Sequence, residues 1–67
     1  GDSAGAIALL RKALDIAPQA AAIRLNLAKL LVSTGRKDEA RTELETLAKL
    51  GDKFPGQAEV GSLQKEL

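Results

Sequence analysis

Cysteine, histidine, methionine, tryptophan and tyrosine are all absent from the 67 residues, and Phe54 is the one aromatic side chain. Without Cys or His the chain cannot build a disulfide framework, a Cys/His zinc site or a nucleophile activated by imidazole. A haem pocket loses its usual axial ligands for the same reason. Absence of cysteine leaves the redox compartment open. An excess of either charge is missing too: ten Lys+Arg stand against nine Asp+Glu, for a net charge of +1. No basic excess points to nucleic acid and no acidic tail is present. No apolar run approaches the ~20 residues that span a bilayer, so direct membrane insertion by this segment is not expected. No charged-then-apolar leader opens the chain. It begins with Gly1 rather than a methionine, which reads as an excised fragment or a cloning scar. The six glycines are scattered and form no phosphate-binding loop.

What is present favours helix. Ala and Leu number twelve each, and β-branched residues are few. Leu, Ile, Val and Phe together make 18 residues, above the level of a disordered chain. A chain this short buries roughly 60% of its unfolded surface, so its stability is marginal. With no disulfide or metal to staple it, it must rely on close helix packing, self-association or neighbouring chain.

Periodicity divides the chain into four helical segments. The first runs from about Ser3 to Ala17, with Ala6, Ile7, Leu9, Leu10, Ala13, Leu14, Ile16 and Ala17 filling half its circumference. Asp2 or Ser3 can cap its start and Pro18 marks its stop. So wide an apolar arc suits a helix covered on two sides. The second, from about Gln19 to Thr34, is apolar nearly all round and therefore central. Asn26, Lys29 and Ser33 share one narrow arc with Ala22, and Arg24 stands alone among apolar neighbours. Gly35 suits a left-handed cap. The third, from about Lys37 to Leu50, shows one stripe of Ala40, Leu44, Leu47, Ala48 and Leu50. Arg41–Glu45 and Glu45–Lys49 are spaced for i,i+4 ion pairs on a solvated face. After a break over residues 51–56, a fourth helix from about Gln57 to Lys65 aligns Val60, Leu63 and Leu67 on one side. Gly61 weakens it, so it must be docked, with Phe54 as anchor.

Shifting the chain by 34 residues places Gly1 on Gly35, Ala6 on Ala40 and Leu10 on Leu44, and pairs Ala13 with Leu47, Leu14 with Ala48 and Ile16 with Leu50. Every match lies at a turn or on an apolar stripe. This pattern resembles the tetratricopeptide repeat, a 34-residue pair of antiparallel helices. Gly1, Ala6, Leu10, Ala13 and Pro18 look like the second helix of that motif. Leu27, Ala28 and Leu31 look like the Leu-Gly-Tyr positions of a first helix, and Gly35, Ala40, Leu44 and Leu47 repeat the second-helix pattern. Three departures stand out: Arg24 replaces the favoured Trp, Leu47 the second alanine and Asp52 the terminal proline.

The resemblance implies an all-α solenoid fragment, a single domain over residues 1–67. Residues 1–18 would be the second helix of a truncated repeat, 19–52 a complete repeat and 53–67 a C-terminal capping helix. It also implies a non-enzymatic module that binds a protein or peptide in a concave groove, with no cofactor and no metal. By the family's register the groove would be lined by Ala22, Leu25, Asn26, Lys29, Val32 and Ser33. The arc found from the helix wheel, Asn26, Lys29 and Ser33, falls among them. Asn26 offers a donor and an acceptor to a peptide backbone, Lys29 meets a carboxylate, and Leu25 and Val32 add apolar contact. The plain alternative is the wet side of a core helix.

Other chemistries fit less well. Glu39, Glu43 and Glu45 sit on a face where nothing would separate their titration for acid–base work. Asp2-Ser3 resembles an acyl-carrier attachment site only in that dipeptide, and N-capping accounts for it. A helix-turn-helix over the second and third segments would present Asp38, Glu39, Glu43 and Glu45 to phosphates, which repel them. Arg24 is expected to run its stem along apolar surface with its head in water, the alternative being an ion pair to a neighbouring helix. The competing functional reading is a structural cap or self-association module, with a homodimer through the first helix, whose second apolar side (Ile7, Leu10, Leu14) lacks cover. Leu44-Glu45-Thr46-Leu47, Phe54-Pro55, Ala58-Glu59 and Leu67 also resemble the ends of bacterial exosortase- and exopolysaccharide-associated repeat lipoproteins. That likeness would imply the periplasm or cell envelope; without it the expectation is the cytoplasm.

Overall fold

The computed structural model describes residues 2–51 and 54–67. They form four helices: α1 (Ser3–Ile16), α2 (Ala21–Ser33), α3 (Lys37–Ala48) and α4 (Gln57–Lys65). No strand occurs among the described residues. The turn glycine expected at Gly1 and the departure at Asp52 lie outside them.

Local chemistry sets the helix ends. Asp2 caps α1, its carboxylate accepting from the Gly5 N–H at 2.9 Å. The chain leaves α1 at Ala17, and the Ala20 N–H donates back to the Ala17 carbonyl at 3.0 Å. That turn uses Pro18 and Gln19, so α2 starts two residues later than its apolar pattern suggests. At the far end of α2, Gly35 takes φ +81°. The Arg36 N–H then reaches the Leu31 carbonyl at 2.9 Å and the Gly35 N–H reaches Val32 at 3.1 Å. This is a Schellman closure, which needs a left-handed residue at that point. Helix α3 stops at Ala48, before the apolar stripe runs out. Ala48 is exposed and Leu50 is more than a third exposed, so neither extends the core.

Helix α2 packs between α1 and α3, and α4 rests on α3 and the near side of α2. Two apolar clusters result. Ile7 and Leu14 of α1 meet Leu27 and Leu31 of α2 and Ala40 of α3. Leu25 and Ala28 of α2 meet Leu44 and Leu47 of α3, Phe54, and Val60 of α4. Leu27, Ala28, Leu31, Ala40, Leu44 and Leu47 are fully buried. Each large side chain so buried stabilises the fold by about 1.5–3 kcal/mol before entropy is charged against it.

Phe54 anchors α4 as its position suggested. Its ring lies over Gly56, where a Cβ would sit 2.6 Å from the ring, so only glycine leaves it room. The Gln57 side-chain amide donates to the Leu47 carbonyl at 2.7 Å, satisfying one of the orphan acceptors at the end of α3.

Several expectations are corrected. The uncovered side of α1 is not Ile7, Leu10 and Leu14: Ile7 and Leu14 are buried against α2, and Leu9 and Ile16 are the exposed pair. A helix apolar over half its circumference has two candidate inward directions, and α2 takes the one centred between Ile7 and Leu14. Arg41 pairs with Asp38 at 3.1 Å, one turn back, and no Arg41–Glu45 or Glu45–Lys49 pair occurs among the described residues. Arg24 does not end in water, and Glu43 is not on a solvated face, because the two form an ion pair at 2.6 Å.

A Cβ at Gly61 in α4 would meet nothing within 4 Å. Gly61→Ala is therefore predicted to raise stability by about 1 kcal/mol, by removing backbone freedom from the unfolded chain. Urea unfolding followed by circular dichroism reads this as a higher midpoint at unchanged slope.

Candidate interaction surface

One side of α2 stays open. Ala22, Asn26, Lys29 and Ser33 are exposed along it, one turn apart, while Leu27, Ala28 and Leu31 on the other sides are buried. Asn26, Lys29 and Ser33, together with Leu30 and with Leu10 of α1, line an open depression of about 500 Å³. The depression has an apolar floor, the half-buried Leu10 and Leu30, and a polar rim. This joins three of the residues singled out from the sequence.

The other two lie elsewhere. Leu25 is buried against Leu44, Leu47, Phe54 and Val60. Val32 is half-buried against the cluster of Ile7, Leu14, Leu27, Leu31 and Ala40. Both assignments to the groove are corrected. At about 100° per residue, Leu25 and Val32 lie on the same side of the helix, roughly 100° and 120° round from Asn26, so both side chains turn into the helix stack.

The polar rim differs in how far it is already engaged. Lys29 forms an ion pair with Glu59 of α4, both side chains nearly half exposed. The pair is weak in water and open to exchange. The Ser33 hydroxyl donates to the Leu30 carbonyl of its own helix at 2.9 Å. The Asn26 carboxamide makes no side-chain hydrogen bond to a described residue. Its donors and acceptor face solvent.

A second recess, of about 370 Å³, lies across the stack and is lined by Arg11, Leu14, Asp15, Pro18, Arg24, Leu27 and Glu43. Its arginines and Glu43 are paired, while Asp15 forms no ion pair with a described residue. Glu43, 8% exposed, accepts from the Arg24 guanidinium at 2.6 Å and lies 3.9 Å from that of Arg11. Arg24 also donates to the Pro18 carbonyl at 3.1 Å, and Arg11 to Glu39 at 2.8 Å. No buried side-chain polar atom among the described residues lacks a partner. The cluster ties α1, α2 and α3 together and holds the open side of α2 at a set angle. Arg24, standing where the repeat pattern favours Trp, replaces an aromatic contact with an ionic one.

No group of three His, Cys, Asp or Glu among the described residues could hold a metal ion. No helix among them is long and apolar enough to cross a membrane.

Removing one partner of the Arg24–Glu43 pair leaves a largely buried charge without its counterpart. Glu43→Leu and Arg24→Leu are each predicted to cost about 1–3 kcal/mol, and the double substitution less than either, because apolar packing then fills the gap. A double-mutant cycle in urea reads the coupling directly.

Sequence comparison agrees with this architecture. A family model described as tetratricopeptide repeat matches residues 1–67. No match is found among curated proteins or among solved structures. The chain belongs to the tetratricopeptide repeat family, whose members typically mediate protein–protein interaction and are generally non-catalytic.

Proposed function

We propose that this chain is an interaction module that holds a peptide or protein segment along the open side of α2, within the concave surface of a longer repeat array. Residues 19–52 would be its complete repeat and 53–67 its terminal cap. One observation carries the reading: Asn26, Lys29 and Ser33 stand in line around the apolar floor of Leu10 and Leu30, on a helix whose Leu25, Leu27, Ala28 and Leu31 are buried. Asn26, with no internal side-chain partner, supplies a donor and an acceptor to a ligand backbone. Lys29 supplies a cation that a ligand carboxylate can take from Glu59. Leu10 and Leu30 supply desolvation for one apolar ligand side chain. Members of the family are generally non-catalytic, which supports a module that binds without turnover. The partner is a protein or peptide rather than a nucleic acid, since Lys29 is the one cation among the residues lining the depression and is already paired.

A second reading, a structural cap or self-association module, is favoured by the exposure of Leu9 and Ile16 on α1. The likeness of the tail to envelope lipoproteins rests on short tail segments alone, and the function proposed does not depend on it.

Titration with a library of short acidic peptides, followed by fluorescence anisotropy, tests the binding reading. Asn26→Ala/Lys29→Ala is predicted to weaken a bound peptide by tenfold or more, each lost contact being worth about 1 kcal/mol. Glu59→Gln is predicted to strengthen it, because Lys29 is then free. Equal affinity in all three proteins would remove this face from the account.

A further inference from the structure

Two buried residues define the line on which α1 meets α2. Ile7 and Leu14 are both buried, in one cluster with Leu27 and Leu31. At about 100° per residue they share one direction, and Leu10 and Arg11 stand roughly 50° to either side of it. The surroundings agree: Leu10 lines the depression beside Leu30, and Arg11 lines the recess across the stack. A helix seated along one line can roll about that line. A roll that carries Leu10 toward α2 lifts Arg11 away from α3, and the reverse roll does the opposite.

Only the Arg11 side is tied. Its guanidinium donates to Glu39 at 2.8 Å and lies 3.9 Å from Glu43, both on α3. Glu43 is itself fixed, accepting from Arg24 of α2 at 2.6 Å. Leu10 has no such tie and is half-buried. Ion pairs as exposed as Arg11–Glu39 are too weak to dock a helix, and the burial of Ile7 and Leu14 does that. A roll leaves that burial in place, so weak pairs are enough to decide it.

We infer that Arg11 is a positioning residue for the depression. Its pairs with Glu39 and Glu43 hold α1 rolled so that Leu10 stands back from Leu30 and the depression stays open. Without them Leu10 gains burial by turning toward α2, and the side chain at position 11 turns to water. The depth of the depression then sets the size of the apolar ligand side chain it admits. This size selection rests on the reading of the depression as the peptide site; the roll does not.

Methyl NOEs in the free 67-residue chain test the roll. In Arg11→Gln and in Glu39→Gln, contacts from Leu10 to Leu30 strengthen. Those from Ile7 and Leu14 to Leu27 and Leu31 keep their wild-type intensity. Arg11→Lys, which keeps the charge, stays close to wild type. So does Lys12→Gln, because Lys12 pairs with no described residue. Unchanged Leu10–Leu30 contacts would overturn the inference, and so would a parallel loss of every α1–α2 contact, which signals undocking rather than roll. NMR titration with two capped tripeptides, Glu-Leu-Glu and Glu-Val-Glu, tests the size selection. The wild type favours the Leu peptide by about fourfold, the worth of one CH2, and Arg11→Gln brings the ratio to about one or below. A general loss of stability would weaken both peptides alike, and an unchanged ratio removes Arg11 from ligand selection. If neither peptide binds the wild type, the peptide site fails, and the NOEs alone decide the roll.

Discussion

Two alanines determine how closely these helices sit. Ala28 on α2 and Ala40 on α3 are both fully buried, each surrounded by large side chains from neighbouring helices. Ala28 admits Leu44 and Leu47, and Ala40 admits Leu27 and Leu31. Helix separation follows the size of the side chains at the contact. A larger residue at either point would push α2 and α3 apart, and leucines now sealed from water would lose their contacts. With no cysteine to form a disulfide, this interlock and the burial it permits are the main source of cohesion in so small a chain.

The open side of α2 is a consequence of that interlock. A helix apolar nearly all round has few directions left for polar residues. Asn26, Lys29 and Ser33 occupy the one direction that α1, α3 and α4 leave uncovered. Their alignment is held from behind by Leu27, Ala28 and Leu31, and at the helix start by Arg24 on Glu43 and Pro18. The candidate surface is thus presented by regular helix rather than by a loop, so little ordering entropy is lost when something binds there.

The helices themselves were legible because short-range chemistry writes their limits: Asp2 at a start, Pro18 and Gly35 at stops, and a 3.6-residue rhythm between. The polar arc of α2 was legible for the same reason. Less visible was which apolar direction turns inward. On α2 the wheel alone could not separate Leu25 and Val32 from the open side, and on α1 it could not separate the Ile7–Leu14 side from the Leu9–Ile16 side. Tertiary ion pairs were less visible still. Arg11 reaches Glu39 across 28 residues and Arg24 reaches Glu43 across 19. Local spacing suggested partners for Arg41 and Lys49 instead. Pairing of that kind depends on the crossing of three helices, which no single segment encodes.

Leu9 and Glu43 occupy the same place in the 34-residue register, and their difference explains why the two second-type helices behave differently. At Glu43 the chain places a charge in a largely buried position and compensates it with two arginines from α1 and α2. The cost of removing that carboxylate from water is offset only because Arg24 and Arg11 are held close by packing. At Leu9 no such compensation is needed, but an exposed leucine beside an exposed isoleucine leaves apolar surface in contact with water. The polar solution ties the buried stripe of α3 to α1 and α2. The apolar one leaves α1 with surface that gains free energy from any further covering. One repeating pattern therefore gives one helix whose stripe is tied into the stack by a compensated charge and another whose stripe is left partly in water.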